Sequence, residues 1–369
     1  MGMGYQGFIR MYKQGPAVDP MLLLATGSSV NLQLEPIYSS AVWGAGWYNA
    51  ADSAHYADNA VRYEGSIDTE LQIGAGGDIW TFIANWVIAE RAYGRSFDIS
   101  PDGARVYQYR TSDAYGANYD LFGAWNTSAG FSTSQDSFVT ASLGMVALYR
   151  DEVDPAGGSA YDQYTYIRQK LGVVGSDCAV FNTTNPLNPN GNNADPIPFW
   201  RTNAQLLTGN WQQPFSGGEV PQAGMETVEW NIDVSQNQVI LYTCNGNRLP
   251  TAVLMGAMSV NGGVTLYHPD GIFDPILGPD GTGQLDDPAL FAANTWFRVE
   301  ISSGPTDRVY IELPATVIES DDYGLRGQND VTNRVFNLKG MGGRCYNNIA
   351  QPPCLMSDGT GAFIDPASP

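Results

Sequence analysis

The chain has 369 residues, and its 18 Lys and Arg against 38 Asp and Glu give a formal net charge of -20. That balance excludes a protein that grips a nucleic-acid backbone by neutralising phosphates. With 42 Gly, 22 Pro and only 15% charged residues, the composition points to a β-rich, loop-rich fold rather than a helical one. The length accommodates two domains and a tail. The apolar stretch around Ile79 to Ala89 is too short to span a bilayer. The opening Met1 to Gln6 has neither the basic region nor the apolar core of a secretory signal, and Gln6 breaks the myristoylation pattern. The expectation is a chain that stays in the cytoplasm until it assembles.

In chain order, residues 7 to 13 and 21 to 34 predict strands, the second alternating Val30, Leu32 and Leu34 with polar neighbours. Residues 37 to 60 form a long loop carrying Tyr38, Trp43, Trp47, Tyr48 and Tyr56. Trp and Tyr anchor interfaces, so this loop is the candidate inter-subunit arm. A strand at 61 to 72 precedes a helix from Ile79 to Tyr93, capped by Asp78 and stopped at Gly94. Ile79, Phe82, Ile83, Trp86 and Ala89 give it one apolar face. Strands follow at 105 to 110, 119 to 125 and 138 to 148. The acidic, then Pro/Gly-rich segment 150 to 160 makes the best linker.

Four blocks of the first half recur in order in the second. Asp19 to Thr26 aligns on Asp195 to Thr202, Gly7 to Arg10 on Thr165 to Arg168, and Val61 to Asp68 on Val228 to Asp233. The segment Ser128 to Met145 aligns on Ser320 to Asn337. The second half adds an insertion at Asn182 to Asp195, strands at 238 to 243 and 264 to 267, a Gly/Pro/Asp-rich excursion at 269 to 287, and a short helix from Pro288 to Asn294. The domains expected are 1–154, 155–347 with the insertions, and a C-terminal tail 348–369. Two units in one chain fill two places of a ring.

Motifs for catalysis are missing. His55 and His268 each stand alone among turn residues, so a Ser-His-Asp arrangement has little to draw on. Gly74 to Gly77 lacks the βαβ context of a phosphate cradle, and Asp280, Asp286 and Asp287 miss the EF-hand spacing. The expectation is no catalytic residue, no metal, no cofactor and no enzymatic activity. Cys178, Cys244, Cys345 and Cys354 all lie in the second half without metal-site spacing. Cys345 and Cys354 flank a short loop and form the candidate disulfide for an oxidising environment.

The opening Gly7 to Arg10, the long loop ahead of strand 61 to 72, the helix 79 to 93 and the closing Ala315 to Ile318, Asp322 to Gly327 and Val335 to Leu338 together resemble the tail tube proteins of tailed bacteriophages. The resemblance covers residues 1 to about 340. It implies a mainly β fold with two tandem tube-like β-barrel or β-sandwich domains, each with long loops and at most one flanking α-helix. It further implies stacked homotrimeric, pseudo-hexameric rings lining a conduit for DNA in a virion tail assembled in the bacterial cytoplasm. Partners implied are other copies of the chain and the tape measure, tail terminator and baseplate, with a sheath if the tail is contractile, DNA only in transit and no membrane anchor. Three copies at -20 each would put roughly 60 negative charges on a ring, letting a polyanion pass without adhesion. A baseplate hub on the same unit and, from another class, a carbohydrate-binding or glycoside-cleaving β protein remain open on sequence alone.

Overall fold

A computed structural model describes residues 8–13, 21–38, 56–71, 97–98, 107–112, 118–153, 196–208, 220–221, 226–242, 244, 252–267, 276, 283–302, 308–323, 333–342, 345–346, 349–350 and 353–358. It is mainly β. The first half contributes β1 (Phe8–Lys13), β2 (Met21–Tyr38), β3 (Tyr56–Glu70), β4 (Phe97–Asp98), β5 (Tyr107–Ser112), β6 (Asn118–Thr133) and β7 (Thr140–Val153). The second contributes β8 (Thr202–Thr208), β9 (Val220–Pro221), β10 (Glu226–Leu241), β11 (Ala252–Tyr267), helix α1 (Pro288–Asn294), β12 (Thr295–Ser302), β13 (Arg308–Leu313), β14 (Thr316–Tyr323) and β15 (Asn333–Gly340). Short strands β16 (Cys345–Tyr346), β17 (Ile349–Ala350) and β18 (Leu355–Asp358) end the series.

An 11-stranded antiparallel sheet runs β14-β15-β11-β10-β6-β5-β1-β2-β3-β7, with β4 on β11 and a further β6–β7 pairing. A five-stranded sheet runs β18-β13-β12-β8-β9. The two halves share the large sheet, because β10 pairs with β6 from Trp230↔Thr133 to Ser235↔Ser128. Two orders of four strands therefore appear in succession: β2-β3-β7-β6, then β10-β11-β15-β14.

That order corrects the alignment of the repeats. The aligned block Ser128 to Met145 falls on β6 and β7, and Ser320 to Asn337 on β14 and β15. Strand order, however, equates β3 with β11 and β2 with β10, one strand out from the pairing of Val61 to Asp68 with Val228 to Asp233. The block 195 to 202 is not a counterpart of strand β2: Phe199–Arg201 is a 3-10 turn, and β8 begins at Thr202. Strands are also longer than the hydrophobic pattern suggests. The β2–β3 ladder reaches Tyr38↔Tyr56 across a bulge at Leu34/Pro36, and β10 passes through a second bulge at Gln236/Gln238. A bulge shifts the alternation by one residue, which reads as a break in a period-two pattern. Pro36 lies at such a bulge, where a missing N–H is tolerated.

One face of the large sheet makes the core. A row perpendicular to the strands passes through Thr69, Ala141, Phe131, Ile232, Gly262, Leu338 and Ile318, all buried. The next row passes through Ile67, Leu143, Ala129, Val234, Val260 and Gly340. The apolar side chains of these rows pack in one cluster with Phe297, Val299, Ile301, Val309 and Ile311 of the five-stranded sheet. Burying a side chain of this size contributes about 1.5–3 kcal/mol. Main-chain bonds then tie the halves at a second place: Leu71 N–H to Val139 O (2.8 Å), Val139 N–H to Ile197 O (2.8 Å) and Ile197 N–H to Leu71 O (3.1 Å). Helix α1 has the bounds read from the sequence; Asp287 accepts a hydrogen bond from Leu290 N–H at 3.0 Å and Pro288 opens the first turn.

Candidate functional site: the polar face of the large sheet

Alternation sends every second residue of these strands to the opposite face, and there the residues are small and polar. One row reads Asp68, Ser142, Gly130, Asp233, Asn261 and Lys339; the neighbouring row reads Glu70, Thr140, Ser132, Asn231, Gly263 and Asn337. Ser142 donates to Asp68 Oδ1 at 2.6 Å, Asn231 Nδ2 to Asp233 Oδ2 at 3.0 Å, and Asn337 Nδ2 to Ser320 Oγ at 2.6 Å. The hydroxyls of Ser132 and Thr140 lie 3.1 Å apart. Short side chains bonded to one another project little from the sheet.

Glycine keeps two places flat. A Cβ on Gly130 would stand 2.7 Å from Asp233 Oδ1, and one on Gly263 would collide with Asn231 Oδ1. At these points the neighbouring side chain lies across the strand where a Cβ would otherwise be. Two shallow grooves result. The first, about 440 Å³, is lined by Ser132, Thr140, Glu229, Asn231, Gly263 and Asn337 among others; the second, about 420 Å³, lies between Asp68 and Asp233 over Gly130 and Ser142.

Between β3 and β11 the described charge on this face has one sign. Among the described side chains of β3, β6, β7, β10 and β11 there are the carboxylates Glu64, Asp68, Glu70, Glu229 and Asp233 and no Lys or Arg. The cations at the far edge are paired: Lys339 with Glu319 at 3.2 Å and Arg334 with Asp321 at 2.6 Å. A cation held by a carboxylate has less field to offer a passing phosphate.

Among the described residues no group of three or more His, Cys, Asp or Glu is placed to hold a metal ion, and no helix is long and apolar enough to cross a membrane. Of the candidate arm, Tyr38 and Tyr56 lie opposite each other at the ends of β2 and β3; Trp43, Trp47 and Tyr48 lie outside the described residues. So do the helix 79 to 93, Gly74 to Gly77, both histidines and Asp280. Asp287 is the α1 cap, and Asp286 is exposed. Of the candidate disulfide, Cys345 is in β16 with its side chain outside the described set, while Cys354 is a buried free thiol. Burial and the nearby Glu312 carboxylate push the Cys354 thiol pKa far up, which suppresses the thiolate needed for disulfide exchange.

The sequence reading missed two features. Gln284 clamps β14: Ile318 N–H donates to its Oε1 and its Nε2 donates to Ile318 O, both at 2.7 Å. Arg298 Nε donates to Glu312 Oε1 at 2.7 Å in a buried pair. Gln284 lay in a segment read as an excursion, and nothing in its local pattern marks it. Arg298 lies between Phe297 and Val299, and Glu312 between Ile311 and Leu313; opposite charges each flanked by apolar residues are the signal that could have paired them.

No family model and no curated protein matches this chain. Among solved structures it is similar to the tail tube of SPP1, determined by solid-state NMR and cryo-electron microscopy. The likeness stands at 15% identity and a TM-score of 0.23, covering 39% of this chain and 75% of that one. At that score the functional reading rests on this chain's own residues.

Proposed function

We propose that the chain is a structural protein of a bacteriophage tail, and specifically that it polymerises as stacked rings into a tail tube through which DNA passes. The observation that carries this is the polar face, with carboxylates in both halves, two flattening glycines and no described cation between β3 and β11. A polyanion beside such a wall meets repulsion and few grips, which suits transit rather than binding. The strand order repeated within one sheet supports two ring positions per chain, hence three chains in a ring. The work is scaffold and conduit, without catalysis, and other tail components are the partners. Its place is the virion tail, after assembly in the host cytoplasm.

Negative-stain microscopy of the purified full chain tests this. Hollow cylinders or three-fold rings are expected. A monomer under every salt and concentration tried would sink the proposal, and an isolated ring that never stacks would favour a baseplate hub.

A further inference from the structure

We propose that the larger groove of the polar face binds an ammonium group of a linear polyamine, whose further ammonium groups reach into the neighbouring groove. The larger groove lies between the β6–β7 turn and strands β10, β11 and β15. Its lining holds hydroxyls, the carboxamides of Asn231 and Asn337, the Glu229 carboxylate and the Phe138 ring, and no Lys, Arg or His.

Most of the protons in that lining are engaged within the wall. Ser137 Oγ donates to Ser134 O at 2.7 Å, Thr140 Oγ1 to Ser132 O at 3.3 Å and Trp230 Nε1 to Thr202 Oγ1 at 3.1 Å. Asn231 turns its amide nitrogen to Asp233 Oδ2 at 3.0 Å; an ionised carboxylate only accepts, which fixes the flip of that carboxamide. Its Oδ1 therefore lies over Gly263, another lining residue, where a Cβ would collide with it. Glu229 is exposed and, when ionised, adds lone pairs without a proton. A groove that presents acceptors selects a ligand made of donors. An alkylammonium has three N–H donors and no lone pair.

Phe138 supplies a second contact. Its bridge to Pro198 holds it in place at the groove, and its ring is 44% exposed. The face of such a ring attracts a cation within about 6 Å of its centre. A neutral sugar could use the ring but would set its own oxygens against oxygens, and a phosphate would meet Glu229.

The smaller groove is continuous with the larger, since Ser132, Thr140 and Asn231 line both. It carries Asp68 and Asp233. Along β10, Asp233 stands roughly 14 Å from Glu229 at the rise of an antiparallel strand. Among the described residues no three acidic groups are placed to hold a metal ion. The charge is spread along a line, which suits several ammonium groups on one extended chain better than one compact cation. On the tube proposal an occupied groove would weaken the wall's repulsion of DNA, but the binding itself needs no ring.

Isothermal titration calorimetry of the full chain at low salt, with spermidine, diaminopropane, Mg²⁺ and maltose, tests the site. Spermidine should bind saturably, diaminopropane about tenfold more weakly because it spans one groove only, and Mg²⁺ and maltose without saturation. Glu229→Gln and Phe138→Ala should each weaken spermidine roughly tenfold, the scale of one charge-assisted bond or one desolvated cation–ring contact. Both side chains are exposed, so urea midpoints should stay at the wild-type value; Asp68→Asn gives a second reading from the other groove. Asp286→Asn removes the same charge at an exposed position ahead of α1 and should change nothing. Equal weakening by Asp286→Asn and Glu229→Gln would reduce the effect to net charge and overturn the site, as would Mg²⁺ or maltose binding as tightly as spermidine, or no binding of spermidine. Equal affinity for spermidine and diaminopropane would overturn the reach into the second groove. Each of these failures leaves the microscopy of assembled particles, and with it the tube, untouched.

Discussion

Cys354, just ahead of β18, lies near Glu312 of the Arg298–Glu312 pair in the five-stranded sheet, and each leads to a measurable outcome. The folded-state pKa of Cys354 is raised above the ordinary 9.0 by burial and by Glu312. Below that value both folded and unfolded chains hold the proton, and the group has no effect on stability. Above it the unfolded chain ionises and the folded chain does not, so stability falls with rising pH at a slope of about 1.4 kcal/mol per pH unit from this group. Urea midpoints on either side of pH 9 should show a steeper alkaline loss for wild type than for Cys354→Ala. An identical pH profile would contradict the burial of the thiol. A maleimide should label exposed Cys244 in the native state and Cys354 only on unfolding. For the ion pair, with side chains only 10% and 1% exposed, Glu312→Ala should cost about 3–5 kcal/mol because it takes the carboxylate from a buried cation. Arg298→Met with Glu312→Leu should recover most of it. Chemical denaturation of the three proteins checks this, and a single variant as stable as the double would refute it.

At the scale of elements, the β6·β10 ladder joins the halves, and Phe131 is its largest buried side chain on β6. Phe131→Ala should destabilise by about 3–5 kcal/mol, read as one shifted transition for both halves rather than as loss of the first alone. Two separate transitions in the variant would show that the ladder does not couple them. Strands β1, β2, β3, β6, β7 and helix α1 were legible because alternation and capping are local signals. The pairing of β6 with β10 was not legible, since partners a hundred residues apart are chosen by matching rows of side chains. Bulges hid true strand lengths at Pro36 and Gln236 for the same reason that they exist: each breaks the alternation that identifies a strand. The polar face was partly legible. Asp68 and Asp233 stood at matching ends of two aligned blocks, and the structure places both on one face, flanking Gly130 and Ser142 in a single row. Their strands are not counterparts in the sheet, so the alignment found the shared surface through the wrong equivalence.

At the scale of the molecule, the sign of charge on the polar face is the property to alter. Asp68→Lys with Asp233→Lys exchanges two exposed carboxylates for cations and leaves the buried rows untouched. Assembled particles of this variant should retain DNA at low salt and release it as salt rises, whereas wild-type particles should retain none. Equal retention by both would separate the polar face from DNA transit. The five-stranded sheet, with the C-terminal β18 at its edge, packs behind the other face; a Cβ on Gly340 would stand 2.7 Å from Pro353 O, so this backing fits closely against the wall.

The β6·β10 ladder has a consequence for assembly kinetics. A junction between two units that is made inside one chain forms as that chain folds, at the effective concentration set by a tether and independent of how many chains are in solution. Every second junction of a closed array of such units would then be complete before any two molecules meet. In the ring proposed above, fewer encounters would be needed, dilution would penalise nucleation less steeply, and incomplete rings would contain an even number of units.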